Sequence, residues 1–528
     1  MGSQLPVVFD LVGLRLRVFA LGVGAGALAV ALSFMLRLFA GGSFLPELAS
    51  QAFVSVVPGQ VESGAVDTLG SLAKYTTYTV AVAANLLLYG LIAVLLFNIS
   101  DVNGSRFLPK GLAITGVSYS AMLLLSGIFL SVARVNSQPI PATTLAVELL
   151  PPLLLFGFSL TSLESMYAPR GLERDVVPED FRPVDMRRRS IIVAGGVIAA
   201  VAVLALYGIG LLRPGSARTS DLSAFNGNEV TSNVDFYRVD IDVFTPSVQA
   251  SSWSLKVGGL VNYPQTLSYG QLQAMPAVAQ YNTLECVSNG VGGDLMSTAK
   301  WTGVRLKDVL AAAGVQPQAT YLVFKCSDGY DVGIPLAKAM DDATILAYEM
   351  NDAPLPQAHG YPLRAIVPGY YGMMNPKWIT EIQLVDQTYQ GFWQRSGWAN
   401  EAQYQTGSTI VNLGNDALAD RFGLFSPTQV ALGSPITIVG VAFAGDRGIS
   451  KVEVSTDKAN TWAPATLTPS LSSNSWVLWS FDWNPSAAGT YNVIVRATDG
   501  GGNLQTEAAA DPFPSGATGW HYVAVNVK

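Results

Sequence analysis

Few side chains in this sequence are able to do metal or redox chemistry. Cys286 and Cys326 are the two cysteines, and His359 and His521 the two histidines, among 528 residues. That scarcity excludes a disulfide framework and a four-ligand Cys/His zinc site. There is no Cys-x-x-Cys-His for covalent haem, and both histidines lie outside the apolar N-terminal part, so no histidine-ligated haem sits between membrane helices. A redox enzyme of this composition needs a cofactor that asks little of protein side chains, and its electrons leave through another protein or a quinone. Cys286 stands in Tyr281-Asn-Thr-Leu-Glu-Cys286-Val-Ser-Asn289-Gly-Val-Gly292-Gly293, a Gly/Asn-rich loop of the kind that lets backbone approach a ligand closely. An isolated cysteine is otherwise inert packing, and Cys326 fits that description because it continues the apolar strand Tyr321–Lys325.

The elements that must position these residues divide sharply along the chain. Half of the residues are hydrophobic and 13% are charged, against roughly 25% charged in soluble domains, so part of the chain belongs in lipid. Five stretches are long and apolar enough to span a bilayer: Leu14–Phe39, Thr76–Phe97, Leu112–Val132, Thr144–Met166 and Ser190–Leu212. The first carries Gly22, Gly24 and Gly26, which suits close helix packing. Arg15, Arg17, Arg106, Lys110, Arg170, Arg174, Arg182 and Arg187–Arg189 gather on one side, against Arg37, Lys74 and Arg134 on the other. The expected topology is therefore a multi-pass protein of the cytoplasmic membrane, with everything after Leu212 extracytoplasmic. Arg187-Arg188-Arg189-Ser190-Ile191-Ile192 also resembles a twin-arginine export signal, the plainer reading being a positive-inside anchor. Glu148 and Glu164, the ionisable residues of the fourth span, could relay protons or touch a quinone; carboxylates near an interface are the plainer reading. Apolar residues at Leu45, Leu48, Ala52 and Val56 predict a short helix on the outer surface.

Residues 213–233 read as a linker. Val234 to about Arg395 mixes short strands, such as Trp253–Val257, with short helices, such as Leu306–Ala313 ending at Gly314. This α+β stretch is large enough to enclose a cofactor. From about Pro427 the pattern is strands only (Ile436–Val441, Ser450–Ser455, Trp476–Trp483, Tyr491–Ala497, Trp520–Val527), which argues for a β-sandwich. Residues 214–528 hold 17 Lys+Arg against 26 Asp+Glu, an acidic balance that argues against a nucleic-acid partner.

The Cys286 loop resembles the molybdenum-ligand loop of the sulfite oxidase family. In that family's order follow Trp301-Thr-Gly-Val-Arg-Leu-Lys-Asp-Val-Leu310, Ser327-Asp-Gly-Tyr330, Leu346-Ala-Tyr-Glu-Met-Asn351, His359-Gly-Tyr-Pro-Leu-Arg364-Ala-Ile-Val-Pro368-Gly and Lys377-Trp378. Upstream, Phe236-Tyr-Arg238 and Leu255-Lys-Val-Gly-Gly-Leu260 also fit. Val452-Glu-Val-Ser-Thr-Asp-Lys-Ala-Asn-Thr-Trp462 is similar to the family's immunoglobulin-like dimerisation domain. The resemblance covers about residues 234–528. After the transmembrane domain (1–212) and linker (213–233) read from the apolar spans and composition, it implies an α+β molybdopterin-binding catalytic domain (234–424) and an all-β immunoglobulin-like sandwich (425–528) that pairs subunits into a homodimer. It implies a molybdenum–molybdopterin cofactor and Cys286 as the thiolate ligand; the scarcity of cysteine and histidine is what argues against haem or an iron–sulfur cluster. His359, Arg364 and Lys377 would hold the pterin phosphate, a suitable set for an anion. Asn289 would reach the pterin, and Arg238 would face the substrate pocket.

Departures from the family concern the substrate rather than the cofactor. The position five after Cys286, an arginine in animal sulfite oxidases, is Val291; the tyrosine near the metal, reached through Trp393-Gln-Arg395-Ser-Gly, becomes Trp398; and the C-terminal pocket arginine falls near Phe513. Two guanidiniums are thus missing from a site built for a dianion. The expected activity is oxygen-atom transfer on a small S- or N-oxo substrate, by sulfite oxidation or by sulfoxide or N-oxide reduction. The electron partner would be a separate cytochrome or a quinone. The alternative is a membrane-tethered, non-catalytic binding module that kept the fold and lost turnover.

Overall fold

The computed structural model describes residues 5–40, 44–69, 72–100, 107–132, 142–167, 229–241, 245–411, 413 and 428–528. They fall into two compact units. The first is helical. Its long helices are α1 (Leu5–Ala40), α4 (Leu72–Ser100), α5 (Phe107–Val132) and α6 (Ala142–Tyr167), with the shorter α2 (Leu45–Val56) after α1; α3 (Gly59–Leu69), next in sequence, falls in the second unit. Four windows are long and apolar enough to cross a membrane: Arg15–Arg37, Thr76–Leu96, Lys110–Leu130 and Leu145–Leu163. The fifth expected span, Ser190–Leu212, the Arg187–Arg189 run and most of the expected linker lie outside the described residues, and so does the side chain of Glu164. A Cβ at Gly22 would meet that of Ala93 at 2.4 Å, and one at Gly26 the Tyr89 ring at 2.5 Å, whereas Gly24 faces open space. Two of the three small residues therefore let α1 approach α4.

Every described residue from Glu229 onward belongs to the second unit, together with α3. One sheet runs β2 (Gln265–Ser268), β1 (Ser254–Gly259), β10 (Ile379–Val385), β5 (Tyr321–Cys326) and β6 (Asp331–Pro335). Another runs β3 (Ala277–Glu285), β4 (Met296–Arg305), β7 (Ile345–Met350) and β8 (Ala353–Pro354), with β9 (Arg364–Ile366) also pairing with β7. Four short helices connect them: α7 (Tyr269–Gln273), α8 (Leu306–Ala313), α9 (Leu336–Ala339) and α10 (Phe392–Arg395). Helix α8 buries Leu306, Val309, Leu310 and Ala313, a single face at helical spacing, and stops where Gly314 takes φ +66°. Phe236, Leu284, Ala299, Trp301, Ile345, Ala347 and Ile366 form the core beneath the second sheet.

The C-terminal part is all β. One sheet runs β11 (Gly407–Ile410), β13 (Ile436–Phe443), β17 (Val477–Trp483) and β16 (Thr466–Leu467). The other runs β12 (Thr428–Val430), β19 (His521–Val527), β18 (Gly489–Asp499), β14 (Ile449–Ser455) and β15 (Ala463–Pro464). Ile438 and Trp479 from one sheet share a core with Val452, Val495 and Val525 from the other. Alternating apolar residues on both inner faces account for that layering.

At the start of β19 the buried His521 ring accepts a hydrogen bond from the Ile410 backbone N–H at Nδ1, 2.9 Å. Burial pushes its pKa down from 6.5 to about 4. Between those values the unfolded chain binds a proton that the folded chain refuses, so this contribution to stability is full above pH 6.5 and is lost as the pH falls toward 4. A glutamine keeps an acceptor but does not titrate. In urea unfolding, His521→Gln should lose less stability than wild type between pH 6.5 and pH 4; equal losses would show that His521 does not carry the effect.

Candidate active site

Strands β3 and β4 pair antiparallel through Glu285 and Met296, and the loop between them begins at Cys286. The loop is closed on itself. The Cys286 N–H donates to the Leu295 carbonyl (2.9 Å) and the Asn289 N–H to the Cys286 carbonyl (3.0 Å). The Asn289 side chain donates to the Glu285 carboxylate (2.9 Å) and accepts from the Leu295 N–H (3.0 Å). Such a tight return leaves no room for a side chain at Gly293, whose Cβ would lie 2.4 Å from the Asn289 oxygen. Cys286 Sγ lies 3.0 Å from Ser288 Oγ, and burial raises the thiol above its usual pKa. A metal or another cation would be needed to hold it as thiolate at neutral pH.

The same sheet delivers the basic residues. Ala347 of β7 is in register with Arg364 of β9, and the preceding 3-10 turn Gln357–His359 ends at Gly360, φ +113°. A Cβ on Gly360 would press on the Cβ atoms of Arg364 (3.0 Å) and Lys377 (3.1 Å), so glycine at this point lets the two cations converge. Arg364 is 4% exposed. Its guanidinium donates to the carbonyls of His359 (3.2 Å) and Asn375 (3.3 Å) and lies 4.7 Å from the centre of the Trp301 ring. Its Nε has no hydrogen-bond partner, and no described carboxylate pairs with it. Burial lowers its pKa from 12.5 to about 10, so it stays charged at neutral pH. His359 donates from Nε2 to the Asn233 carbonyl at 2.8 Å, and burial, helped by Arg364, pushes it down to about 4; the ring is neutral and leaves Nδ1 as an acceptor. Lys377 and Arg238 both pair with the buried Asp240, and Arg238 also donates to Thr245 at 2.6 Å.

Cys286, His359, Arg364, Lys377 and Trp398 all border one cavity enclosing about 880 Å³, part of it open to solvent. Trp398 is held edge-on against Phe513, with centroids 5.3 Å apart. Helix α10, just before it, is fixed by Arg395, which donates to the fully buried Asp331 at 2.8 and 3.1 Å. Three expected residues do not border this cavity. Arg238 is engaged with Asp240 and Thr245, while Asn289 and Val291 border a neighbouring one. Cys326 is buried, as expected of packing. The reading of the sequence missed Asp240, Tyr237, Tyr330 and Glu62, all of which border the Cys286 cavity. Tyr237 stood within a noted motif; Glu62 lies in a different region of the chain and no local signal marked it.

Residues 242–393 match the family described as oxidoreductase molybdopterin binding domain, and residues 426–528 the Mo-co oxidoreductase dimerisation domain. The chain is 32% identical over 187 residues to the uncharacterized oxidoreductase YuiH of Bacillus subtilis (strain 168), covering 35% of this chain and 91% of that protein. It is 31% identical over 325 residues to mitochondrial sulfite oxidase of Homo sapiens, covering 56% of this chain and 58% of that one. With the Drosophila melanogaster enzyme the identity is 29% over 308 residues, 50% of this chain and 53% of that one. The chain thus spans little more than half the length of these two sulfite oxidases. The solved sulfane dehydrogenase SoxCD from Paracoccus pantotrophus shares the fold, with a TM-score of 0.50 at 21% identity over 60% of this chain and 89% of that one. The chain belongs to the sulfite oxidase family of molybdopterin-dependent oxidoreductases.

The residues present fit such a cofactor. A buried guanidinium with an unpartnered Nε suits an anionic group, and a single thiol borders the same cavity. Among the described residues no three His, Cys, Asp or Glu side chains cluster as a metal site, so the donor set suits a metal that arrives with other ligands. If Arg364 holds the cofactor, its replacement by leucine should weaken cofactor binding by about tenfold, the scale of one charge-assisted hydrogen bond, and leave the purified protein depleted in molybdenum. Metal analysis checks this; unchanged content would mean that Arg364 does not hold the cofactor.

Proposed function

We propose that the protein is a membrane-anchored oxidoreductase that transfers an oxygen atom to or from a small S- or N-oxo substrate. Cys286 is the thiolate ligand of molybdenum, and His359, Arg364 and Lys377 hold the anionic end of the pterin. The observation that carries this reading is the shared cavity. Cys286 and a buried guanidinium lacking a carboxylate partner border the same cavity. When bound, the cofactor supplies the two-electron change and the site of oxygen exchange.

The chain's own residues hold, orient and enclose. Neutral His359 offers an acceptor beside charged Arg364, a pairing suited to a group that both donates and accepts hydrogen bonds. Asp240 carries two cations, Arg238 and Lys377, so the basic wall keeps a net positive charge. Trp398, backed by Phe513, forms an aromatic wall, and the Tyr330 hydroxyl is tied to the Met373 carbonyl at 2.6 Å. This wall favours an uncharged oxide over a dianion, because it offers bulk and apolar surface where an anion needs donors. Arg238 acts near the cavity rather than on its wall, and Asn289 acts by locking the Cys286 loop.

The four long apolar helices anchor the protein in the cytoplasmic membrane, with the catalytic part extracytoplasmic, and electrons pass to or from a separate cytochrome or a quinone. The C-terminal sheets form the immunoglobulin-like domain of a homodimer.

Metal analysis and a substrate screen in both directions, with sulfite, sulfoxides, N-oxides and nitrate, test the reading. Stoichiometric molybdenum and turnover of a neutral S- or N-oxide are expected; metal-free protein from a cofactor-competent host would leave only a binding module. Cys286→Ser should reduce turnover to background and change the visible absorption of the metal-loaded protein. Retained turnover would remove Cys286 as the ligand.

A further inference from the structure

Helix α3 comes from the stretch between the first two long apolar helices, yet it packs within the second unit. Its first residue is docked closely. The Gly59 N–H donates to the Ser396 carbonyl at 2.9 Å. A Cβ on Gly59 would sit 2.6 Å from the Phe513 ring, 2.7 Å from the Ser396 oxygen and 3.1 Å from Trp398 Nε1. Only glycine permits that approach, and it fixes the first turn of α3 against the aromatic wall of the cavity.

The orientation of that turn is the reverse of what the hydrophobic effect alone would select. Val61 is 60% exposed and Ser63 is 5% exposed. Between them, Glu62 borders the cavity together with Cys286, Trp393 and Trp398. No described cation pairs with Glu62. Trp398 Nε1 is buried and makes no hydrogen bond of full geometry, although it lies near enough to favour the Glu62 carboxylate. Glu62 is half-buried, and with Trp398 it supplies polar groups that a ligand entering this side of the cavity would meet.

We propose that Glu62 is a substrate-binding residue of the Cys286 site, donating a hydrogen bond to an oxygen of the S- or N-oxo substrate at the Trp398 side of the cavity. The inference rests on the reading of this cavity as the site of reaction. Burial pushes the Glu62 carboxyl from 4.5 up to about 8, so at neutral pH it presents an O–H rather than a negative charge. A neutral acid in an apolar setting is a strong donor to an oxide oxygen. The reaction site is thereby completed by a segment that lies between two apolar helices in sequence, and isolated residues 229–528 would lack one substrate contact.

The test uses the full-length, molybdenum-loaded protein and two unreactive probes, dimethyl sulfone for a neutral oxide and sulfate for an oxyanion, titrated by calorimetry. Glu62→Leu should keep its molybdenum and weaken binding of at least one probe by about tenfold, the loss of one buried hydrogen bond. The affected probe tells which substrate oxygen is bound. With a turned-over substrate, KM should rise more than kcat falls. Glu62→Gln, which retains an N–H donor, should recover most of the probe affinity. Gly59→Val, which forces α3 off Ser396 and Phe513 and so shifts Glu62 without altering its side chain, should weaken the same probe and serves if Glu62→Leu does not fold. Wild-type affinity for both probes in Glu62→Leu, or in a folded Gly59→Val, would overturn the inference. So would loss of molybdenum from Glu62→Leu, since that would make the residue part of the cofactor cradle. Absence of molybdenum from the wild-type protein would instead remove the proposed function.

Discussion

A guanidinium buried without a carboxylate partner is the constraint around which this site is arranged. Arg364 is 4% exposed, and its bonds go to backbone carbonyls and to the face of Trp301. Removing such a charge from water is costly unless an anion or a dense set of dipoles replaces the lost hydration. Two carbonyls and an aromatic face offset part of that cost, and the Nε left unpartnered marks the rest. The sheet meets this requirement by register. β3, β4, β7 and β9 belong to one hydrogen-bonded array, so the loop bearing Cys286 and the strand bearing Arg364 are set by the same backbone ladder. The relation between thiol and cation is therefore a property of rigid strands, as a site that holds a cofactor needs.

The opposite wall is built differently. Trp398 and Phe513 meet across a long stretch of sequence, the α10 turn is pinned by the Arg395–Asp331 pair, and α3 docks through Gly59. Aromatic bulk stands at this wall, with Glu62 beside it. The two walls of this one cavity are thus carried by separate elements. One wall can change its chemistry while the sheet keeps the other in place, which is how a shared fold accommodates different substrates.

Much of the framework was legible in the residues. The apolar windows have the length of bilayer spans, and α8 begins at Leu306 and ends at Gly314 as its spacing and terminal glycine dictate. The C-terminal strands fall where alternation placed them, within a few residues. These features depend on the period of a helix or strand and on turn chemistry, which are local properties of the chain. Cys286, His359, Arg364, Lys377 and Trp398 were identified from ordered motifs, and the fold brings all five to one cavity. Asn289 and Val291 were set at that site by their places in the family's motif. The closed loop turns them to the neighbouring cavity instead.

Residue types and spacing by themselves determined the apolar helices, the mixed and all-β segments, and the scarcity of cysteine and histidine. Tertiary structure alone decided that Asp240 carries two cations, that Phe513 backs Trp398, and that Glu62 enters the Cys286 cavity. The physical reason is the range of the interactions. Periodicity and capping act over a few residues, whereas a carboxyl group on α3 meets the cavity only because backbone hydrogen bonds and close packing join segments far apart in the chain, and no local pattern encodes that meeting.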